Sequence, residues 1–351
     1  MSENDPRRER DKQSNPDGKM SFEPIVGSQG TDVIGGKSTE FEIETPLAAD
    51  GDKSYSQGQL VLRRFFHHKG ALAAMIVLGF IIVMAFSSIG IGPIPGWWGQ
   101  DYRLAQPLVN GGHPTLTLWP FSIGEHPFGQ DTVGKDYFAL VMSGTQKSII
   151  IAVGVGLIST VIGTVVGALA GYYRGWVESA LMRLTDLLIV IPLLVLAAVL
   201  GKIASGWGFW GLTLMLGVVT WTSLARLVRG EVLSLRERDF VLAARAVGTS
   251  PSRIITRHIL PNSVGVIIVS ATLLIASAIL LETSLSFLGF GVQAPDTSLG
   301  LLISQYQNAF STRPWLFWWP GMLILTIALS VNFIGDGLRD AFDPRQNRSK
   351  D

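Results

Sequence analysis

Six stretches of this chain run for close to twenty residues with few charges: residues 71–91, 148–170, 181–200, 211–228, 264–287 and 316–338. A helix needs roughly twenty apolar residues to cross the hydrocarbon core of a bilayer. In lipid, every backbone N–H and C=O must also be satisfied within the spanning structure. Six such runs therefore restrict the chain to an all-α integral membrane bundle of six transmembrane helices. Composition agrees, with 48% hydrophobic and 16% charged residues. The net charge of +1 offers no field for nucleic acid. The absence of cysteine excludes disulfides and thiolate metal sites.

The intervals between the runs differ sharply. Residues 1–59 are rich in Gly, Ser, Asp, Lys and Glu and read as a disordered tail, with no apolar core near Met1 that a cleaved secretory signal would need. Within it, 31–38 (TDVIGGKS) nearly matches a phosphate-binding loop. Thr31 stands where the first glycine is required, and no apolar strand precedes it, so a chance match is expected. Arg63, Arg64, His67, His68 and Lys69 then make 60–91 a basic juxtamembrane segment leading into the first span. Residues 92–147 form a polar insertion too long for a plain connection. His126, Asp131 and Asp136 in its HPFGQDTVGKD segment could be imagined as metal ligands, but Gly129, Asp131 and Gly134 are turn formers and turns explain them better.

Positive charge sets the orientation. Of 28 Lys and Arg, only Arg103, Lys135, Lys147, Lys202 and Arg313 fall in the segments that alternate with the N-terminal side. The positive-inside rule places both termini, and with them 339–351, in the cytosol and makes 92–147 extracytoplasmic. Tryptophans 207, 210, 315, 318 and 319 read as an aromatic belt. Gly154, Gly156, Gly163 and Gly167 form small-residue stripes suited to close helix packing. Pro192 should kink the third span.

The cytosolic stretch 239–262, DFVLAARAVGTSPSRIITRHILPN, is the candidate site. Phe240, Ala243, Ala244 and Val247 fall three or four apart on one helix face. Gly248 stands at a left-handed C-cap, Ser250 can cap a second helix, and Pro251 fits its first turn. Pro261 ends that helix or begins the next element. Arg253 and its basic neighbours set orientation. Small residues would admit a partner's backbone, although an ordinary interfacial amphipathic loop explains the same pattern. Two acidic residues at membrane depth, Glu282 and Asp186, either line a translocation path or bond to a neighbouring helix. Asp336 and Asp340 lie beside Arg339, where a surface ion pair suffices.

The 239–262 stretch resembles the coupling loop of ABC-importer permeases, a Glu-Ala-Ala pattern followed by a glycine and a closing Leu-Pro. The matching residues are Ala243, Ala244, Gly248, Leu260 and Pro261, with Leu242 where the family has Glu. The 126–136 segment, SFLGFGV at 286–292, Ser298-Leu299-Gly300, Pro320-Gly321 and GDGLRDAFDP at 335–344 are similar to the C-type permease subunits of dipeptide and oligopeptide importers. The resemblance covers about 71–345. It implies a type I ABC-importer permease fold, with 148–338 as the permease core and 239–262 as coupling helices. It further implies a sister transmembrane permease, two cytosolic ATP-binding subunits that hold ATP and Mg, and an extracytoplasmic solute-binding protein. No cofactor, metal or catalytic residue is expected on this chain. Related permeases serve nickel, glutathione or oligosaccharides, and a passive channel or membrane scaffold would share the bare span pattern.

Overall fold

The computed structural model describes residues 57–119 and 121–343. The tail expectation for 1–59 lies outside that range except for its last three residues. The near-match at 31–38 and the end of the chain beyond 343 lie wholly outside it.

A short amphipathic helix, α1 (Gln57–His67), leads into the first span, α2 (Lys69–Ile89). His68 joins them as the N-cap of α2, its Nδ1 accepting from the Ala71 N–H at 3.0 Å. Val61 and Phe65 pack α1 on Leu338 and Ala341 of the last helix. His68 also lies 3.6 Å from Asp340, so that carboxylate pairs across the bundle rather than with Arg339 as its spacing suggested.

The second span, α3 (Tyr137–Tyr173), is 37 residues long, about 55 Å at 1.5 Å per residue. It begins eleven residues before the apolar run does, so the insertion ends at 136 and not at 147. Asp136 caps α3, and the apolar stretch 137–142 is buried under the insertion, so the helix starts where its cap stands. α4 (Gly175–Val190) and α5 (Leu193–Ala204) meet at 90° around Pro192, so the bend expected at that proline is present and is sharp enough to divide the third run into two arms. α6 (Gly208–Val219) and α7 (Thr222–Arg236) together form the fourth span, and α8 (Asp239–Ala246) follows. α9 (Pro251–Ile254) leads into the fifth span, α10 (Leu260–Phe287). α11 (Leu299–Tyr306) is short, and α12 (Trp315–Phe342) is the last span. Among the described residues five helices are long and apolar enough to cross a membrane, six if the bent pair counts as one.

α3 is the central post, and glycines let it be approached. A Cβ on Gly163, Gly167 or Gly171 would sit 2.9, 2.5 or 2.9 Å from the carbonyl oxygens of Trp221, the N-cap of α7, and of Ala225 and Arg229 within it. Both series advance four residues at a time, so the two backbones touch along a continuous line. This is the close approach that small residues permit between membrane helices.

At the start of α3 the insertion folds down as a cap. One two-stranded hairpin, β1 (Gly90–Ile91) with β2 (Ile94–Pro95), joins it to α2, and a second, β3 (Thr117–Leu118) with β4 (Phe121–Ser122), lies within it. The Asp136 carboxylate accepts from the Ala139 N–H, Trp98 Nε1 and His126 Nδ1, each at 2.8 Å, with His126 and Asp136 buried. Asp131 accepts from the Val133 and Lys135 N–H groups, as a turn aspartate should, and from the Tyr306 hydroxyl at 2.9 Å. Burial first, and the Asp131 carboxylate second, hold the Tyr306 phenol above its ordinary pKa, so it stays a donor. Among the described residues no group of three or more acidic, His or Cys side chains could hold a metal ion. Two of the three tryptophans at the head of α12 belong to this cap and not to a lipid-facing belt. Trp319 stacks on Phe128 at 3.8 Å, and Trp315 lies 4.5 Å from the His113 ring. Trp318, like Trp207 and Trp210, is exposed.

Candidate functional site

The opposite end of α3 carries the helix-turn-helix. α8 starts with Asp239 in its first turn, where a carboxylate favours the helix dipole. It closes in a Schellman motif: the Thr249 N–H donates to the Ala244 carbonyl at 3.1 Å and the Gly248 N–H to the Arg245 carbonyl at 3.0 Å. That motif needs a left-handed residue, and Gly248 has φ +80°. Ser250 occupies the N-cap position of α9 but makes no side-chain cap bond; its carbonyl takes the Ile254 N–H at 3.0 Å instead. Pro251 sits in the first turn as its missing N–H allows.

Pro261 does not end the second helix. α9 passes through one π-turn, Ile255–Ile259, directly into α10, and Pro261 lies in the first turn of α10. The wider turn closes with the Leu260 N–H on the Ile255 carbonyl, five residues back. A π-turn is how a helix absorbs one residue that cannot join the regular ladder. The result is one continuous rod, Pro251–Phe287, of 37 residues.

The two faces of this unit separate cleanly. Val241, Ile254 and Ile259 are fully buried against Val228, Val232 and Tyr172, and Ala244 packs partly on the same cluster. Arg245 lies over the Tyr172 ring at 5.8 Å, and Arg236 donates to the Tyr172 carbonyl at 2.6 Å. Outward stand Phe240 at 41% exposure, Leu242 at 43% and Val247 at 83%, with Ala243, Gly248, Ser250, Pro251 and Arg253 exposed around them. The face read from spacing is thus divided: Ala244 turns in, while Phe240, Ala243 and Val247 remain on the surface. A Cβ added at Gly248 would meet no other group within 4 Å. Pro261 is exposed but set apart on the rod.

Glu282 and Asp186 are not brought together. Glu282 is wholly buried, accepting from Ser286 Oγ at 2.7 Å and Ser148 Oγ at 3.1 Å. Those serines also accept the Val292 and Leu299 N–H groups, both at 3.2 Å, so the carboxylate anchors the turn between α10 and α11 to α3. Asp186 is 59% exposed and paired with Arg226 at 2.5 Å, next to a second ion pair, Glu178–Arg229. The partners Ser148, Arg226 and Arg229 were not marked by spacing, because each lies 40 or more residues away from its acid.

Comparison with known proteins adds a family. The binding-protein-dependent transport system inner membrane component family matches residues 163–348. The N-terminal transmembrane domain of oligopeptide transport permease C matches 56–106. The chain is 38% identical over 291 residues to the oligopeptide transport system permease protein OppC of Mycobacterium bovis, covering 82% of this chain and 95% of that one. It is 36% identical over 288 residues to OppC of Escherichia coli, covering 81% and 89%. A putative peptide permease protein of Brucella ovis is 41% identical over 227 residues, covering 63% and 74%.

Proposed function

Because this chain belongs to the family of inner-membrane components of binding-protein-dependent transport systems, we propose that it is a peptide-translocating subunit of an ATP-driven importer. In this reading it forms the path with a sister permease. Two cytosolic ATP-binding subunits carry ATP and Mg, and a solute-binding protein delivers peptide from outside. Both termini and the α8–α9 unit face the cytosol, as the distribution of Lys and Arg supports. The insertion faces out, where it meets the solute-binding protein.

One observation carries the reading: a small-residue, apolar surface (Phe240, Leu242, Ala243, Val247, Gly248) is left exposed on a unit whose other side is fully packed. A rigid base beneath an exposed apolar patch is what a docking element requires. Closure of the ATP-binding subunits then displaces α8 and α9 together. Because α9 runs unbroken into α10, that displacement tilts the whole 37-residue rod and switches the path by rigid-body motion. Asp186, beside the same end of the bundle, stays a candidate for the path; Glu282 acts through the turn it anchors.

Ala243→Trp tests this. The side chain at 243 points outward, so the variant folds and inserts normally, while the added indole blocks docking. Peptide uptake and co-purification of the ATP-binding subunits should both fall to background. Ala243→Ser, which keeps the side chain small, should keep both. Full uptake by the Ala243→Trp variant would reject the docking role.

A further inference from the structure

Between α5, α7 and α10 lies a cavity of about 370 Å³, within the range of small-ligand sites. No charged residue lines it. Its walls are leucines, Leu224, Leu227 and Leu273 among them, broken by four hydroxyls: Thr220, Ser223, Ser270 and Ser277. Two of these are satisfied within the chain. Ser277 donates to the Leu273 carbonyl at 2.9 Å, and Thr220 donates to the Leu216 carbonyl at 2.9 Å while meeting Ser159 at 2.6 Å. Ser223 and Ser270, from α7 and α10, form no such bond among the described residues. Ser223 is exposed and Ser270 half-buried, so both hydroxyls are open to whatever fills the cavity; a polar occupant can hydrogen-bond them, whereas a lipid chain offers no partner.

Resting on the peptide-importer reading above, we infer that this cavity is the chain's substrate-contacting wall and that Ser223 and Ser270 hydrogen-bond the main chain of the passing peptide. The chemistry fits a peptide backbone and not its side chains. A hydroxyl both donates and accepts, so it can meet either an amide N–H or a carbonyl. Leucines accept side chains of any shape without reading them. A charged wall would instead hold one terminus and retard release; an uncharged one lets successive amides exchange along the same two hydroxyls. α10 contributes Ser270 and is continuous with α9, so motion of the docking unit moves this wall directly.

The assembled importer in vesicles provides the test, with trialanine and an analogue bearing one ester in place of an amide. Ser223→Ala/Ser270→Ala should raise the KM for trialanine roughly fivefold for each hydroxyl used, with protein abundance unchanged, and should shrink the preference for trialanine over the ester. Because the chain has no cysteine, Ser223→Cys and Ser270→Cys can be labelled singly. Both should react with a water-soluble methanethiosulfonate reagent, and trialanine should protect them. Inert or unprotected cysteines, cross-linking of either to the sister permease, or an unchanged KM in the double alanine variant would overturn the assignment while peptide uptake by the wild type persists. A wild-type assembly that imports no peptide would instead defeat the functional reading itself, and this ligand with it.

Discussion

Replacing Asp136 should open the junction between the insertion and the bundle. Its carboxylate, fully buried, takes three hydrogen bonds at 2.8 Å: the Ala139 N–H of the first turn of α3, the Trp98 indole and the His126 imidazole. Asp136→Ala removes a helix N-cap, costing about 1 kcal/mol. It also leaves the buried His126 donor without a partner, about 1–3 kcal/mol. Trp98 is half-buried and recovers part of its loss from water. The total is about 3 kcal/mol of local stability, which corresponds to roughly a hundredfold loss of amide-exchange protection. Hydrogen exchange of the complex in nanodiscs reads it at Ala139 and its neighbours, with α7 as the internal control. A cycle with His126→Ala separates the pair: the two substitutions should couple by more than about 1 kcal/mol. Additive effects, or unchanged exchange at the head of α3, would refute the claim that this carboxylate latches the insertion in place.

Two further outcomes are expected. Gly167→Leu drives a side chain into the Ala225 carbonyl and Val228 Cβ, 2.5 and 2.8 Å from the first added atom; it should destabilise the bundle by about 1–3 kcal/mol or more, seen as a lowered thermal midpoint. Gly230→Ala, with open space around it, should be neutral or stabilising, and equal behaviour of the two variants would contradict the contact line between α3 and α7. Glu282→Leu leaves the Ser148 and Ser286 hydroxyls without their acceptor and should loosen the α10–α11 turn by about 2 kcal/mol, while Glu282→Gln, which keeps an acceptor oxygen, should do much less; indistinguishable exchange at Leu299 in the two variants would count against the anchor.

Residue order alone determined the fold class, where along the chain each span falls, and the two helices at 239–262. These depend on local physics: apolar length, the φ of Gly248, the missing N–H of Pro251. The same local signals misplaced the start of α3, because a helix extends until its cap, and the cap at Asp136 lies outside the apolar run. They left Pro261 as either a stop or a start; it lies in the first turn of α10, which one π-turn joins to α9. What only the tertiary structure decided is which atoms meet across long separations. Ala244 and Phe240 share a helix spacing, yet packing against Val228 and Val232 turns one in and leaves the other out. Glu282 finds Ser148 on a helix 134 residues away. Such partners carry no trace in spacing, because the free energy that joins them comes from excluding lipid and water at a place that exists only once the bundle has closed.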